Sequence, residues 1–457
     1  MFSLSLPRTL AGVLLLSGAA TAHAATLLVT TTADAYDGVC NLHCSLRDAI
    51  AVANQAPSLD TIVLPPGTYM LTRPAALDAD GLPVDDDDQQ IGDLDVIGDL
   101  RIKGLDTTRT IIQGQFNDRL FEVRPDARLR LEKLSLQGGD TVHNGGAVKN
   151  LGQLRLHEVL VQNNRAVSPL PDGPLTPGED FDHGQGGAIV NHGDLTITAS
   201  RLQFNHAEAN GLGFASGGRG GAIFNYGSVR ISESNLYRNN IGGGDGGGGP
   251  AIYNLRGNVE VERSVISGHT GQEFSSAAVL NFEGEITLSN STLTGNSTGA
   301  LGNFHSTPAS PAKATLTNVT VTANDTCDRW AVVSTGDLRI RNSIIAGNFD
   351  FCITQTPLNC ATSGTYEAIG LLAGDEPSSC TADLFASFED VFTKVLYHPI
   401  NKHSNTVWTY DLRPGSAAID AGIGDCIAQD QRGVARPKDG NGDGVALCDL
   451  GAYELQP

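Results

Sequence analysis

The sequence predicts an all-β fold: a right-handed parallel β-helix, which is a solenoid with three short strands per coil, closed by a short N-terminal capping helix. A unit of roughly 20 to 25 residues recurs through the middle of the chain, and apolar residues alternate within its three short runs, as they do in strands. Gly, Asn and Asp separate the runs, as turns require. Stacking such units gives a parallel solenoid, which the crossover rule makes right-handed, whereas a β-propeller would need roughly 40 residues per blade.

The composition excludes several classes of protein. The 457 residues include 51 acidic and 30 basic side chains, which gives a formal net charge of −21. Since phosphate backbones repel so acidic a chain, we expect no nucleic-acid partner. The hydrophobic share of 40% is enough for a core, which argues against a disordered chain. The 54 glycines show no three-residue period, so the chain is not collagen-like.

The N-terminal residues 1–24 have the features of a secretory signal peptide. Arg8 supplies a positive charge, an apolar run covers 10–20, and the small-residue cleavage site AHA ends at Ala24. The run is shorter than the about 18 apolar residues that span a bilayer, and no later stretch reaches that length. We therefore expect cleavage near Ala24, no membrane span, and a secreted or cell-surface protein, with retention in the periplasm as the alternative.

Three segments follow the signal peptide. They are an N-terminal cap with the first coils (25–140), the repeats with their loop insertions (141–352), and C-terminal coils with a second cap (353–457). In the N-terminal cap, Ser45 and Asp48 form a capping box before apolar residues at helical spacing, which predicts a helix from Ser45 to Gln55. We expect the first coil to begin over 61–71 and the acidic stretch 78–95 to be a solvated loop.

Both ends of the chain resemble known families. CSLRDAI (44–50) resembles the CSLREA domain of exported bacterial proteins, with Asp48 where the name-giving motif has Glu, and GDLDVIGDLRIKG from Gly92 is similar to the coil that often follows it. The tail AIDAGIGDC…DQRGVARPKDGNGDGVALCDLGAYEL (418–455) resembles the choice-of-anchor Q domain. The resemblance implies an exported right-handed parallel β-helix repeat protein, and it implies no established reaction.

The eight cysteines predict disulfide bonds in a chain that is expected to be exported. We expect local pairing, which joins Cys40 to Cys44, Cys327 to Cys352, Cys360 to Cys380, and Cys426 to Cys448. Eight cysteines allow about 105 connectivities, so other pairings stay open. A zinc site is the alternative, but it needs tighter clustering than Cys426 and Cys448 offer.

Aligned repeats give three columns of equivalent residues. The first is aliphatic and is expected to point inward: Val148, Ile189, Ile223, Ile252 and Val279. The second includes a lysine and is expected to point outward: Lys149, Val190, Phe224, Tyr253 and Leu280. Phe224 and Tyr253 would then be exposed neighbours on the first sheet of the solenoid. The third column should form a ladder of hydrogen-bonded amides at a turn: Asn150, Asn191, Asn225, Asn254, Asn281 and Asn303.

Insertions occur at the same point of successive repeats, between the last strand of one unit and the first strand of the next. They begin at Pro169, Glu208 and Gly242. Such loops stack on one face, and we expect them to wall a groove beside the sheet of Phe224 and Tyr253; the alternative is that they are tolerated surface insertions. The predicted ligand-binding residues are Lys149, Phe224, Tyr253, His183 and Arg219.

The tail holds a candidate calcium site. Asp439, Asn441 and Asp443 alternate with glycines like the first half of a calcium-binding loop. A complete loop has a bidentate carboxylate at its twelfth position, which here is Leu450, and Asp449 lies one residue short of it. We predict a Ca²⁺ site formed by Asp439, Asn441, Asp443 and Asp449, with a turn without metal as the alternative. We expect no other cofactor.

The sequence leaves the chemistry open. A lyase acting on a uronic acid needs a cation for the carboxylate and a base for the adjacent proton. The candidates for these roles are Lys149, Arg219 and His183, and the candidate Ca²⁺ ligands beside them are Glu179, Asp180 and Asp182. A hydrolase needs two carboxylates about 5 to 10 Å apart across a cleft, which the outward column does not offer. His192 and His206 are interpreted as turn residues.

Three hypotheses for the function follow. We first expect a non-catalytic binding or adhesive protein that recognises glycans or another cell-surface ligand in the groove on the first sheet. The second hypothesis is a carbohydrate-active enzyme, either a polysaccharide lyase, which we favour, or a glycoside hydrolase. The third is a purely structural extracellular protein. Fold alone does not decide among them, so no catalytic residue is assigned. We expect the protein to be a monomer whose partner is a polysaccharide or a cell-surface ligand.

Overall fold

The chain winds into a parallel β-helix, as the sequence predicts. The computed structural model describes residues 24–456 except 56–57, 80, 82, 85–88, 116–117, 169–183, 210–216, 245, 272–276, 308–309, 311, 327–328 and 377–379. The expected signal peptide therefore lies outside the described residues apart from Ala24. The predicted ligand residue His183 and the three candidate Ca²⁺ ligands beside it lie outside them too.

Three sheets form the walls of the solenoid within the described residues. Sheet 1 has ten parallel strands: Leu94–Val96, Phe121–Val123, Val148–Asn150, Ile189–Asn191, Ile223–Asn225, Ile252–Leu255, Val279–Phe282, Leu301–Phe304, Val332–Ser334 and Cys360–Thr362. Sheet 3 has four short parallel strands: Asp140–Thr141, Arg165–Ser168, His206–Ala209 and Asn240–Gly243. The predicted three strands per coil are confirmed, and sheet 3 adds a fourth strand to four coils.

Sheet 2 has 22 strands, counted over the described ranges, in two rows. Its first row contains Thr26–Leu28, Asp60–Val63, Asp99–Lys103, Arg128–Glu132, Gln153–His157, Asp194–Thr198, Ser228–Ser232, Asn258–Glu262, Glu285–Ser289, Lys313–Thr317, Asp337–Ile345 and Tyr366–Gly374, of which the last two run on into the second row. Its second row contains Gly67–Leu71, Thr110–Gly114, Ser135–Gln137, Leu160–Gln162, Arg201–Gln203, Asn235–Tyr237, Val265–Ser267, Thr292–Thr294, Thr320–Thr322 and Leu384–Ala386.

The core runs along the axis of the solenoid. The aliphatic column predicted to point inward is fully buried in this core, from Val148 to Val279. Successive members are paired in register, so each coil stacks its own aliphatic residue about 4.8 Å above the last. Because every coil repeats the same contact, the hydrophobic core extends with each added repeat.

Two ladders of buried polar side chains line the turns. The predicted asparagine ladder is confirmed: Nδ2 of Asn150 lies 2.6 Å from Oδ1 of Asn191, and the pattern continues through Asn303. A second ladder, which the sequence analysis missed, follows the second row of sheet 2. Its members are Asn164, Asn205, Asn239, His269, Asn296, Asn324, Asn348 and Asn359. Both ladders satisfy polar groups that the coils would otherwise bury unpaired.

The predicted capping helix covers the N-terminal end and spans Leu46–Ala53. Ser45 is its N-cap, and the side chains of Ser45 and Asp48 form the expected reciprocal capping box. The fully buried Arg47 anchors the helix, because its Nε lies 2.8 Å from Oδ1 of Asp34. Strands Asp60–Val63 and Gly67–Leu71 form over the stretch expected to begin the first coil, and the earlier strand Thr26–Leu28 pairs with the first of them.

One expectation for this end is wrong. The last residues of the stretch 78–95 are not part of a solvated loop, since Asp93 and Asp95 are buried. The reason is that Leu94–Val96 forms the first strand of sheet 1 and carries its neighbours into the wall.

The C-terminal segment 388–456 packs back onto the second row of sheet 2. It begins with one helical turn, Phe388–Asp390, which continues as a π-helical turn, Val391–Val395, and it includes the hairpin Asn401–Lys402 and Trp408–Thr409. The hydroxyl groups of Tyr410 and Thr294 are 2.9 Å apart, although the two residues are 116 positions apart in sequence.

Three of the four predicted disulfides are present: Cys40–Cys44, Cys360–Cys380 and Cys426–Cys448. Cys352 is also disulfide-bonded, and its predicted partner Cys327 lies outside the described residues. No helix among the described residues is long and apolar enough to cross a membrane.

Candidate functional site

The outward column of sheet 1 changes character along the solenoid. In register it runs Asp95, Glu122, Lys149, Val190, Phe224, Tyr253 and Leu280. Its first three members are charged, and the next four are apolar or aromatic. The sheet therefore has a charged end and an apolar end.

The aromatic pair in this column is not exposed, so that prediction is wrong. Phe224 is fully buried and Tyr253 is 8% exposed. Their rings are stacked with centroids 5.0 Å apart, and the ring of Tyr226 lies 4.8 Å from that of Phe224. The reason is that Tyr226, in the turn after the strand, packs over the column and extends its hydroxyl to 3.4 Å from Oε1 of Gln185. A glycan-binding role for this pair stays a prediction, and it would require Tyr226 to move.

The two described cations of the predicted lyase set do not meet. Lys149 places its Nζ 3.1 Å from Oε2 of Glu122 at the charged end of the column. Arg219 lies two coils further on; it is buried, and its guanidinium carbon is 6.0 Å from the centroid of the Tyr253 ring. Burial raises the pKa of Tyr253, while the charge of Arg219 opposes the shift. Lys149 is paired with Glu122 on the outer face and Arg219 is buried two coils away, so the two described cations do not line one cleft.

The charged end of sheet 1 is a closed ionic network. The guanidinium of Arg119 is 1% exposed, and its Nε is 3.0 Å from Oδ2 of Asp93. Glu122 contacts Arg124 at 2.7 Å and Lys149 at 3.1 Å. Burial raises the pKa of Asp93 well above its usual range, and the nearby Arg119 counteracts this. Buried charges persist only when they are paired in this way, so the network is a structural element.

The predicted calcium residues fall into two environments. Oδ1 and Oδ2 of Asp439 accept hydrogen bonds from the backbone N–H groups of Gly442 and Gly444, at 2.7 and 2.9 Å. Asp449 belongs instead to the C-terminal core, where its oxygens accept from backbone N–H groups and burial raises its pKa to about 6. Asn441 and Asp443 are exposed in the same loop as Asp439.

Of these residues, the three loop residues fit a Ca²⁺ ion better than Asp449 does. Asn441 and Asp443 are exposed and Asp439 is half-buried, whereas Asp449 is fully buried. Calcium binding by the loop stays a prediction.

One group of three acidic or sulfur side chains converges within 4.8 Å in the described ranges: Asp325, Asp350 and Cys352. Cys352 is disulfide-bonded, so its sulfur is not available as a thiolate ligand. The carboxylate of Asp350 accepts the N–H groups of Cys352, Ile353 and Thr354. This group therefore closes a turn.

Sheet 3 brings together a set of charged residues that the sequence analysis did not assemble. Asp140, Arg165 and His206 are paired in register on three successive strands, and Glu208 lies two residues after His206 on the same outward face. Arg165 contacts Oε2 of Glu208 at 3.3 Å and Oδ2 of Asp140 at 3.8 Å. Nε2 of His206 lies 3.0 Å from the same Glu208 oxygen. These four side chains, named the sheet 3 cluster below, are between 22% and 48% exposed.

Hydrogen bonds, burial and neighbouring charges shift the pKa values of the two carboxyl groups in the sheet 3 cluster. The hydrogen bond from His206 lowers the pKa of Glu208, so this carboxylate is ionised at neutral pH. Burial raises the pKa of Asp140, and the charge of Arg165 opposes the shift. The cluster therefore combines hydrogen-bond acceptors and a planar donor at a half-exposed position.

A cavity of about 390 Å³ adjoins the sheet 3 cluster. It is lined by Pro74, Ala75, Leu77, Gly81 and Pro83 from the N-terminal segment and by Asp140, Thr141, Val142, Arg165 and Val167 from sheet 3. Its volume is within the range of small-molecule sites, and it combines apolar walls with a few polar groups, as such sites do.

Sequence reasoning missed this site because it assigned His206 to a turn. His206 in fact begins the strand His206–Ala209. The signal was present as alternation, since Ala207 and Ala209 are buried while His206 and Glu208 face outward. The run is short and borders an insertion, and this hid the fourth strand.

Comparison with known proteins identifies no family: no family model matches the chain, and no curated protein does. Solved structures show distant likeness. Pectate lyase Pel9A has a TM-score of 0.47 at 14% identity, over 94% of this chain and 96% of that one. Two A-modules of mannuronan C-5 epimerases from Azotobacter vinelandii, AlgE4 and AlgE6, have TM-scores of 0.33 and 0.31, each at 14% identity. They cover 74% and 75% of this chain and 93% and 95% of their own.

Proposed function

We propose that this chain is an exported glycan-binding protein that takes its ligand in the cavity beside the sheet 3 cluster. The observation that carries the proposal is the cavity of about 390 Å³ with Arg165 and Asp140 in its wall. This site replaces the groove over Phe224 and Tyr253 as the favoured location, since those rings are covered. Adhesion to a polysaccharide or a cell surface is the role that such a site supports.

The chemistry of the cavity suits a sugar. Each sugar hydroxyl both donates and accepts a hydrogen bond, and neighbouring hydroxyls are matched by adjacent acceptors and donors. Asp140 supplies acceptors and Arg165 supplies a planar donor, while Pro74, Leu77 and Val167 offer apolar surface to the C–H faces of a ring. The guanidinium also favours a ligand that carries a carboxylate.

The disulfides support the compartment. Three described pairs and the bonded Cys352 imply an oxidising environment, as outside the cytoplasm. An exported protein would hold this cavity where extracellular polysaccharides are found. The signal peptide predicted from the sequence is consistent with this location.

A second candidate function, a uronate lyase, is favoured by one observation: the contact between His206 and Glu208. If Nε2 donates to Glu208, Nδ1 keeps a lone pair and can act as a base. Nδ1 of His206 would take the proton from C5, the carbon that carries the uronate carboxylate. The electron pair left on carbon would form the C4=C5 double bond, and the departing glycosidic oxygen would take up a proton. Arg165 would offset the negative charge that develops on the carboxylate.

One experiment tests both candidates. The mature chain and the variants Arg165→Gln and Asp140→Asn are measured for affinity to a panel of neutral and acidic polysaccharides, with ultraviolet absorbance recorded for new C4=C5 bonds. We expect each variant to weaken binding at least about tenfold, because it removes a charge-assisted hydrogen bond. Arg256→Gln is the matched control. Nε of Arg256 lies 2.9 Å from Oε2 of Glu283, and this ion pair is not part of the cavity wall.

The outcomes separate the candidates. Binding without absorbance supports the binding role, and absorbance that His206→Ala abolishes supports the lyase. Unchanged affinity in both variants would exclude the cavity as the ligand site. Silence across the whole panel would leave the purely structural hypothesis.

A further inference from the structure

The first row of sheet 2 carries a run of arginines on its outer face. Arg101, Arg130 and Arg155 are paired in register on three successive strands, at the central position of each. After Thr196, Arg230 occupies the same column. The three consecutive arginines, named the arginine row below, therefore lie on a straight line with about 4.8 Å between coils.

The fold does not require arginine at these positions. The same outward column holds threonine in other coils, at Thr61, Thr196, Thr287 and Thr315, and those strands pair in the same register. Threonine is the better strand former, and like charges directly opposite each other on neighbouring strands are destabilising. The arginine row therefore destabilises the sheet, and a bound anion would reduce the repulsion between its guanidinium groups.

Internal carboxylates neutralise the arginine row only in part. Arg101 is paired with Glu132 at 2.9 and 2.6 Å, but Arg130 reaches Asp99 only at 3.7 Å. Arg155 is exposed, and it makes no ion pair with any described residue. The outer face of these three strands carries five cations, Arg101, Lys103, Arg128, Arg130 and Arg155, against two carboxylates, Asp99 and Glu132. In a chain of net charge −21, this face is locally positive.

We propose that the arginine row binds a linear carboxylated polysaccharide that lies along the solenoid axis. An extended 1,4-linked uronate chain carries one carboxylate per sugar, and guanidinium groups that repeat about every 4.8 Å along the axis offer paired donors to the carboxylates on the side of the chain that faces them. B-form DNA fits less well for two reasons. The phosphates of each DNA strand follow one another about every 3.4 Å along the helix axis, and the acidic protein as a whole repels polyanions of such high charge density. This surface is separate from the cavity of the sheet 3 cluster and does not depend on it.

The test measures binding of polygalacturonate to the mature chain over a series of salt concentrations, with dextran as the neutral polymer. The variant Arg130→Gln with Arg155→Gln removes two positions of the row. Arg339→Gln is the matched control, since Arg339 occupies the same column near the far end of the solenoid and is 71% exposed. Melting temperatures of all variants verify that the fold is intact.

We expect the double variant to bind about four- to twenty-five-fold more weakly at low salt, from about two- to fivefold per exposed ion pair. Its salt dependence should become shallower by about 1.4 units of slope in log affinity against log salt, from about 0.7 per removed cation on a single-stranded polyanion. Arg155→Lys should retain most of the affinity, and Arg339→Gln should retain all of it. In an Arg165→Gln background the double substitution should weaken polygalacturonate binding by the same factor as in the parent, because the two sites are separate, and this keeps them distinguishable.

Three results would overturn the proposal. The first is that polygalacturonate does not bind in a salt-sensitive way, or that the double variant binds it with an affinity within twofold of that of the parent. The second is equal competition by dextran sulfate at the same total charge, because the arginine row would then select negative charge alone and not carboxylates. The third is tighter binding of single-stranded DNA that depends on the same two arginines, which would make a nucleic acid the occupant.

Discussion

His269 is the one member of the second amide ladder, as described, that is not an asparagine. It is fully buried; its Nδ1 accepts from the N–H of Asn239 at 3.1 Å, and its Nε2 donates to the carbonyl of Leu236 at 3.0 Å. Only the neutral ring with the proton on Nε2 fits both contacts. Burial lowers the pKa of His269 to about 4, while the hydrogen bonds to Leu236 and Asn239 oppose the shift.

The buried neutral ring predicts a loss of stability in acid. The unfolded chain takes up a proton below the ordinary histidine pKa of 6.5, but the folded chain does so only near 4. Stability is therefore lost as pH falls from about 6.5 to about 4, by about 3 kcal/mol in total. His269→Asn should abolish this part of the loss, because asparagine is the residue that neighbouring coils use in the ladder. Denaturant unfolding at pH 7 and pH 4.5 measures it.

The parent must be compared with His269→Asn because other titratable groups change the stability in the opposite direction as pH falls. Burial raises the pKa of Glu454 to about 7 and that of Asp449 to about 6, so these carboxyls favour the folded state as pH falls through that range. They are present in both proteins and cancel in the difference. His157→Asn, on the outer face, serves as the control. If the curves of His269→Asn and the parent run parallel, His269 does not make this contribution.

At the scale of single residues, alternation in the sequence predicts the side of the wall but not the degree of exposure. It correctly places Val148 inside, and it places Phe224 outside the main core. The cover over Phe224 comes from Tyr226, whose ring must fold back from a turn. Such contacts depend on turn geometry, which the repeat pattern does not contain.

At the scale of elements, the asparagine ladder holds the turns of sheet 1 in register. Asn225 is typical: its Nδ2 lies 2.7 Å from Oδ1 of Asn254, and its Oδ1 accepts from Asn191 at 2.7 Å. It also donates to the carbonyl of Gly227. The ladder asparagines are fully buried, so a substitution that removes one member leaves buried polar groups on its neighbours with one partner fewer.

Asn225→Ala should therefore lower the free energy of unfolding by about 2 to 4 kcal/mol, since it leaves buried partners on both neighbouring coils unsatisfied. Chemical denaturation measures the change. Asn258→Ala is the matched control, because Asn258 is exposed at the start of the next strand and should change stability by less than about 0.5 kcal/mol. Equal effects of the two substitutions would show that the ladder is not a source of stability.

Elements with a strong local signal were predicted from the sequence, and elements defined by neighbours were not. The capping box of Ser45 and Asp48 predicts the capping helix, and the two side chains form the expected hydrogen bonds. The strand His206–Ala209 is four residues long and exists because it pairs with strands on both sides. The sheet 3 cluster, and with it the favoured ligand site, depends on that pairing. The site could not be assembled from the sequence alone for this reason.

At the scale of the whole molecule, the C-terminal segment 388–456 closes over coils that are distant in sequence. Gln431 is its main polar anchor and is 1% exposed. Its Oε1 accepts from the hydroxyl of Thr292 at 2.6 Å, and its Nε2 donates to the carbonyl groups of Ser264 and Trp408 at 3.1 and 3.0 Å. The resemblance of the tail to a known domain gave no indication of this contact, because docking depends on which coil face the segment meets.

Gln431→Ala should loosen this segment and leave the solenoid intact. The substitution removes three hydrogen bonds and leaves buried groups on both sides of the interface unsatisfied, which costs about 2 to 3 kcal/mol. Since the solenoid coils contact mainly their neighbours, the loss should remain local. Amide hydrogen exchange should therefore speed up within 388–456 and stay unchanged over the strands of 94–225. Gln429→Ala is the matched control, because Gln429 is exposed and contacts Arg263 at the rim of the same interface. Faster exchange throughout the solenoid in Gln431→Ala would show instead that the C-terminal segment and the coils unfold as one cooperative unit.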